Sequence, residues 1–158
     1  MKGIDWRWVS ALNETDFNAM TFLAVKQYYA QSLHWQKLRV DWNTPRPETI
    51  HKFMATYVKQ AAIKIMIRTK DGVMIGFVLL SLERTDKGQV CHIDEMFIDE
   101  AYRNKGIGTK TLIKIKRHAE KQNIAGLTLN VSAANPARGL YERMGFEPVQ
   151  IKYQMRLD

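Results

Sequence analysis

Arg103-Asn104-Lys105-Gly106-Ile107-Gly108 is the stretch on which the fold of this chain turns. Ahead of it, Cys91-His92-Ile93-Asp94-Glu95-Met96-Phe97-Ile98 is short, rich in strand formers and closes at the acidic pair Asp99-Glu100. Behind it, residues 109–122 hold no Gly or Pro and read as helix, with Leu112, Ile115 and Ala119 along one face. Two glycines one residue apart at a helix start let the backbone turn tightly and gather free N–H groups toward one point. The helix dipole adds to their pull, so the spacing describes an anion site suited to a pyrophosphate. A plain strand-to-helix turn uses glycine too, and from these six residues alone both readings stay open.

The 158 residues are expected to form a single domain, long enough to bury about two thirds of the surface of the unfolded chain. A hydrophobic share of 46% is that of a globular protein and argues against disorder. One cysteine, Cys91, cannot close an internal disulfide, which favours a reducing compartment, and it reads as a small buried filler before a nucleophile. Asp5 and Arg7 interrupt any apolar leader, and the longest apolar run, residues 73–82, is too short to span a bilayer. A cytoplasmic protein without a membrane partner is therefore expected. The formal charge of +8 points to an anionic partner, either nucleic acid or a phosphorylated cofactor. Lys110, Lys114, Arg117 and Lys121 share one helical stripe, which reads first as a solvated face. The stripe lacks interleaved aromatics for base stacking, so nucleic acid is the less favoured partner. No metal-ligand spacing occurs, and no metal is expected.

Residues 6–12 alternate as a first strand, and Asn13 can cap a helix over 16–32 built on Phe17, Met20, Leu23, Ala24 and Tyr28. The pattern breaks over 33–47, where Trp35 and Trp42 sit among polar residues; an irregular aromatic stretch can line a substrate site or simply cover the core. A second helix opens at Pro47 or Glu48 and runs to about Lys59. Residues 62–69 and 73–83 follow as strands joined at Lys70-Asp71-Gly72, a strong hairpin signal, and Asp86-Lys87-Gly88 turns into the strand ahead of the glycine loop. Residues 126–131 make a further strand, Asn135-Pro136 opens a short helix closed by Gly145, and residues 146–149 and 151–157 are expected to complete the sheet. The expected fold is α/β (α+β): a mixed, mostly antiparallel sheet of about seven strands flanked by about four helices.

Two segments together, residues 98–108 and Asn135-Pro136-Ala137-Arg138-Gly139-Leu140-Tyr141-Glu142-Arg143-Met144-Gly145-Phe146, resemble the GNAT superfamily of N-acetyltransferases. That family's loop has Arg or Gln, two residues, Gly, one residue, then Gly or Ala, and Arg103 to Gly108 meet it. The resemblance implies acetyl-coenzyme A as cosubstrate, held where the 91–98 strand and the next one part. It implies that N–H groups from Arg103, Asn104, Lys105, Gly106, Ile107, Gly108 and Thr109 take the pyrophosphate. The run Met96-Phe97-Ile98 would carry the other backbone contacts: the N–H of Ile98 for the pantetheine arm, that of Met96 for the acetyl carbonyl. Asn135 would touch the same arm, although six residues separate it from Tyr141 where many relatives have seven; Arg138 would reach a phosphate or lie on the surface.

By the same resemblance Tyr141 is the general acid that protonates the departing thiolate. A base is also needed, because aliphatic amines are protonated at neutral pH. Simple alternation puts His92, Asp94, Met96 and Ile98 on one side of the strand and Ile93, Glu95 and Phe97 on the other. On that reading Asp94 is the first choice of base and His92 the second, while a bulge near Met96 would invert the faces and make it Glu95. The implied activity is acetyl transfer to a primary amine by direct attack in a ternary complex, with a small-molecule amine preferred. A protein N-terminus or lysine is the alternative acceptor, and a basic nucleic-acid-binding or non-catalytic coenzyme-binding module the alternative class. Many relatives pair through sheet edges, which leaves a homodimer open.

Overall fold

The computed structural model describes residues 3–38, 47–155 and 157. Trp42, and the side chain of Trp35, lie outside what it describes. The elements are β1 (Ile4–Val9), α1 (Glu14–Leu38), a 3₁₀ turn (Pro47–Thr49), α2 (Ile50–Gln60), β2 (Ile63–Thr69), β3 (Met74–Thr85) and β4 (Gly88–Ile98). After a second 3₁₀ turn (Glu100–Tyr102) come α3 (Ile107–Lys121), β5 (Gly126–Leu129) and α4 (Arg138–Arg143). The strands lie in the order β1-β2-β3-β4-β5, antiparallel except for the parallel β4–β5 pair.

Local chemistry accounts for most of the boundaries. The Asn13 carboxamide oxygen accepts the N–H of Asp16 at 2.7 Å, the cap expected of it, and Glu14 and Asp16 put negative charge in the first turn of α1. Gly72, at φ +85°, closes the β2–β3 hairpin with its N–H on the Thr69 carbonyl at 2.9 Å. Helix α1 runs six residues past the expected end at Ser32, so Trp35 belongs to a helix and not to an irregular loop.

Two apolar layers flank the sheet. On one face Ile65, Ile67, Ile75, Val78, Leu80, Cys91 and Ile93 meet Ile107, Leu112 and Ile115 of α3. On the other, Met66, Phe77, Leu79 and Phe97 meet Met20, Leu23 and Ala24 of α1 and Val58 of α2. Alternation along the central strands supplies both layers, and their burial is the main stabilising term. Cys91 is such a core filler, and burial pushes its thiol above the ordinary range. Trp6 locks β1 to α3 through an indole N–H on Thr111 Oγ1 at 2.8 Å, while Trp8 stacks on His118 at 4.4 Å.

The sheet has five strands among the described residues, two fewer than expected. Residues 146–155 form no strand, and Val149, Ile151, Tyr153, Met155 and Leu157 are 71–92% exposed. Their spacing gives one apolar face, but a strand also needs a ladder partner, and alternation does not supply one.

Candidate active site

Strand β5 accompanies β4 only over residues 90–93, after which the two part and β4 continues to Ile98. On the opposite edge the N–H of Asp99 donates to the Ile75 carbonyl at 2.7 Å. Backbone groups alternate along a strand, so Phe97 faces β3 in the same way, while the N–H groups of Met96 and Ile98 point to the edge that β5 has left. Their carbonyls agree with this: Gln27 Nε2 donates to Met96 O at 3.2 Å, and Arg103 Nε to Ile98 O at 2.8 Å.

Arg103 is thus neither a free surface cation nor simply a loop marker. It ties the loop to the end of β4, with its guanidinium 5.3 Å from the centre of the Phe97 ring. Beyond it Asn104 and Gly106 both adopt left-handed conformations, at φ +61° and +79°. Gly106 is the N-cap of α3, and no side chain caps that helix. Its first-turn N–H groups have no intrahelical partners, and a Cβ built on Gly106 would meet nothing within 4 Å. Left-handed turns, bare N–H groups, the helix dipole and Lys105 nearby make an open cradle that fits a pyrophosphate. The second glycine serves a different end. A Cβ on Gly108 would lie 3.3 Å from Leu140 Cδ2, so the small residue lets α4 approach α3.

The titratable side chains of β4 stand where simple alternation did not put them. Leu79 pairs with Glu95 and Leu80 with Ile93, so Asp94 is an extra residue in β4 without a ladder partner. Cys91, Ile93, Met96 and Ile98 accordingly face the α3 layer, while His92, Asp94, Glu95 and Phe97 face α1 and α2. The expectation that Asp94 shares a side with Met96 is corrected by this bulge, which puts Asp94 and Glu95 together on the face opposite Met96. Asp94 Oδ1 accepts from the Ser81 hydroxyl at 3.1 Å and lies 3.9 Å from His92 Nε2, whose Nδ1 is 2.7 Å from Thr128 Oγ1. Glu95 is half-buried. Burial pushes its carboxyl from 4.5 up to about 7, a Gln27 hydrogen bond pulls the other way, and the Asp94 charge adds to the rise.

Two phenols lie within the electrostatic reach of Glu95. Tyr57 of α2 is raised to about 12 by burial, then by Glu95 and Asp94. Tyr141 of α4 is raised by burial, then by Glu95, and packs edge-on against Phe146 at 5.9 Å. Asn135 is engaged locally, its carboxamide oxygen accepting the Ala137 N–H at 2.9 Å in an Asx turn ahead of α4. Arg138 is likewise engaged locally, donating to Ala133 O in the preceding loop at 3.1 Å and standing 3.7 Å from Glu142 of its own helix.

Gln27 and Tyr57, which the sequence did not single out, stand beside Glu95. Gln27 offered a signal, being a polar side chain amid the apolar stripe of Leu23, Ala24 and Tyr28. Tyr57 offered none, since a tyrosine on the apolar side of a helix reads as core. It also lines an open cleft of about 310 Å³ on α2 with Thr49, Lys52, Phe53, Thr56 and Gln60, its ring stacked on Phe53 at 6.2 Å. Among the described residues no cluster of His, Cys, Asp or Glu could hold a metal ion, and no helix is long and apolar enough to cross a membrane.

A sheet parted beside an uncapped glycine turn, with a half-buried tyrosine on the short helix that packs against the same core, is the architecture of a coenzyme-dependent acyltransferase fold. The model of the acetyltransferase (GNAT) family matches residues 28–146, and the chain belongs to that family. It is 26% identical over 143 residues to an uncharacterised N-acetyltransferase of Methanocaldococcus jannaschii, covering 86% of this chain and 57% of that relative's length. Among solved structures, the aminoglycoside N-acetyltransferase AAC(6')-Iy in complex with CoA superposes with a TM-score of 0.65 at 20% identity, covering 98% of this chain and 95% of that one. The ribosomal-protein-alanine N-acetyltransferase of Brucella melitensis biovar Abortus 2308 does so with a TM-score of 0.66 at 24% identity, covering 98% and 99%.

Proposed function

We propose that this protein is an acetyl-CoA-dependent N-acetyltransferase that transfers the acetyl group to a primary amine by direct attack in a ternary complex, with Glu95 as the base. The observation that carries this reading is the bulge at Asp94. It leaves Asp94 and Glu95 on one face, where burial raises the Glu95 carboxyl to about 7, one residue from an N–H on the edge that β5 has left. A base is most effective when its pKa lies near the working pH, where it is ionised yet still holds a proton well.

The other residues divide the work. The N–H groups of the 103–109 turn hold the coenzyme pyrophosphate, and that of Ile98 holds the pantetheine arm. The N–H of Met96 stabilises negative charge as it builds on the thioester oxygen. Glu95 takes the ammonium proton, directly or through water, so that a neutral amine attacks. The Asp94 carboxylate attracts the cationic acceptor, with His92 beside it. The Tyr141 hydroxyl, kept protonated by its raised pKa, donates to the leaving sulfur. The acceptor enters from the α2 side beside Tyr57, with Trp35 and Trp42 as further candidates for its contacts.

A small-molecule amine is the preferred acceptor, and a protein N-terminus or lysine the second reading; the two solved relatives above are named for one of each. Nucleic-acid binding is disfavoured, because part of the basic stripe is turned to internal use: Lys114 lies over the Trp6 ring at 4.8 Å. A buried single cysteine supports a cytoplasmic setting, and a homodimer is compatible with the open outer edges of β1 and β5. The test is release of the coenzyme A thiol across a panel of amines, alongside calorimetry of acetyl-CoA binding. Turnover with one acceptor class supports the proposal, and failure to bind acetyl-CoA overturns it.

A further inference from the structure

The stretch of β4 that bears the proposed chemistry is weakly braced by its own sheet. Its bulged residue, Asp94, has no partner on β3, and β5 ends opposite Ile93. Residues 95–98 keep their ladder with β3 but have no strand on the side that β5 has left, and from α1 Gln27 reaches a backbone group there. Its side chain is buried, at 5% exposure, with Nε2 3.2 Å from the Met96 carbonyl oxygen, and it stands near enough to the Glu95 carboxyl to pull that group's pKa down.

We propose that Gln27 is a positioning residue whose two amide N–H groups clamp the Glu95 carboxylate and the Met96 carbonyl together, fixing the base relative to the neighbouring Met96 N–H. This rests on the assignment of Glu95 and Met96 above. Both partners are acceptors, and a primary amide offers two N–H donors from a single nitrogen. Glutamate of the same shape offers none when ionised, and methionine of similar length none at all. A donor on the Glu95 carboxylate favours its charged form, so the clamp keeps a half-buried base ionisable near neutral pH, as the lowering effect of Gln27 on Glu95 indicates.

The test follows the Glu95 carboxyl by carbon-13 NMR titration, together with the pH dependence of kcat/KM, in wild type, Gln27→Met, Gln27→Glu and Glu95→Gln. In Gln27→Met the Glu95 midpoint and the acid limb of the rate profile should both move up, by about one pH unit, the size expected for loss of one good hydrogen bond to a carboxylate. Plateau kcat should fall about tenfold as the Met96 N–H loosens, with acceptor KM little changed. Gln27→Glu keeps the shape, adds a like charge and should move both midpoints further in the same direction. This second variant, and the titration itself, keep the test open should either protein lose activity. A Glu95 midpoint in Gln27→Met within about 0.2 pH unit of wild type, well below the shift expected for a lost hydrogen bond, overturns the clamp. An acid limb that survives unchanged in Glu95→Gln overturns the assignment of the base instead, and the NMR midpoint still reports whether Gln27 acts on Glu95.

Discussion

Asp94 and Glu95, adjacent in sequence, lie on the same face of β4 because Asp94 has no partner in the ladder with β3. In a regular strand one of them would project into the α3 layer, leaving a carboxylate among Ile93, Leu112 and Ile115. The bulge instead places both on the α1 and α2 side, Asp94 bonded to Ser81 and Glu95 half-buried. Proximity then works in one direction: the charge on Asp94 makes Glu95 harder to ionise.

The two carboxylates should therefore respond in opposite ways to neutralisation. Glu95→Gln removes the proposed base, and kcat/KM should fall by about 100-fold or more and lose its acid limb near pH 7. Asp94→Asn leaves the base and removes the charge that raises it, so the acid limb should shift to lower pH with smaller loss of rate. Rate profiles of the two variants check this. A limb that vanishes in Asp94→Asn and persists in Glu95→Gln would exchange their roles.

The same carboxyl should leave a mark on stability. Its pKa in the folded protein, about 7, lies above the ordinary 4.5. Below pH 4.5 it is protonated in both states and has no effect. Between 4.5 and 7 the unfolded chain loses the proton while the folded one keeps it, so stability falls as pH rises and then levels off. The full effect is about 3 kcal/mol. Glu95→Gln should thus melt higher than wild type at pH 8 and close to it at pH 4, as calorimetry at the two pH values can show.

The parts of this site that were legible in the sequence are those fixed by short-range chemistry. The Gly106 turn, the Asn13 cap and the Asp71-Gly72 hairpin each depend on a few adjacent residues whose backbone preferences are strong. The bulge at Asp94 depends on how two strands of different spacing meet, and neither Leu79-Leu80 nor Ile93-Asp94-Glu95 carries a glycine to mark it. Gln27 and Glu95 are 68 positions apart and meet only through the packing of α1 on the sheet. The tail failed for a related reason: Val149, Ile151 and Tyr153 carry the period of a strand, but period says nothing of whether a neighbouring edge receives it.

Gly106 tests the phosphate cradle. Gly106→Ala carries a strain cost, because φ is +79°, of about 1–2 kcal/mol, but adds no charge and meets no neighbour. Gly106→Asp adds a carboxylate at the helix N-terminus, against the proposed pyrophosphate. Calorimetry should show acetyl-CoA affinity about 100-fold weaker in Gly106→Asp and only modestly weaker in Gly106→Ala. Equal losses in the two would make the effect one of backbone strain alone.

Tyr141 tests proton delivery. Tyr141→Phe keeps the ring against Phe146 and removes only the hydroxyl. Turnover should fall about 100-fold with acetyl-CoA affinity almost unchanged, as single-turnover rates and calorimetry can separate. The raised pKa also predicts that any basic limb from this group lies above the ordinary tyrosine range. Parallel loss of affinity and turnover would instead make Tyr141 a packing residue.

Gly76 joins the fold to the site, and its role is purely steric. It sits in β3 opposite Ile98, and a Cβ there would lie 2.5 Å from the Phe97 carbonyl oxygen, 3.1 Å from Ile98 Cδ1 and 3.4 Å from Ile67 Cδ1. The nearest of these is backbone and cannot rotate away, so β4 must shift or the ladder must open. Gly76→Ala should cost about 1–3 kcal/mol, the range for overpacking a tight interior. In a chain of this length that lowers Tm by roughly 2–4 °C per kcal/mol. Because the displaced segment carries the N–H groups of Met96 and Ile98, acetyl-CoA affinity should fall as well, even in protein that remains folded. Gly76→Ala of unchanged Tm and unchanged affinity would mean that the end of β4 yields freely, and that the backbone contacts assigned to it are not held in place by the sheet.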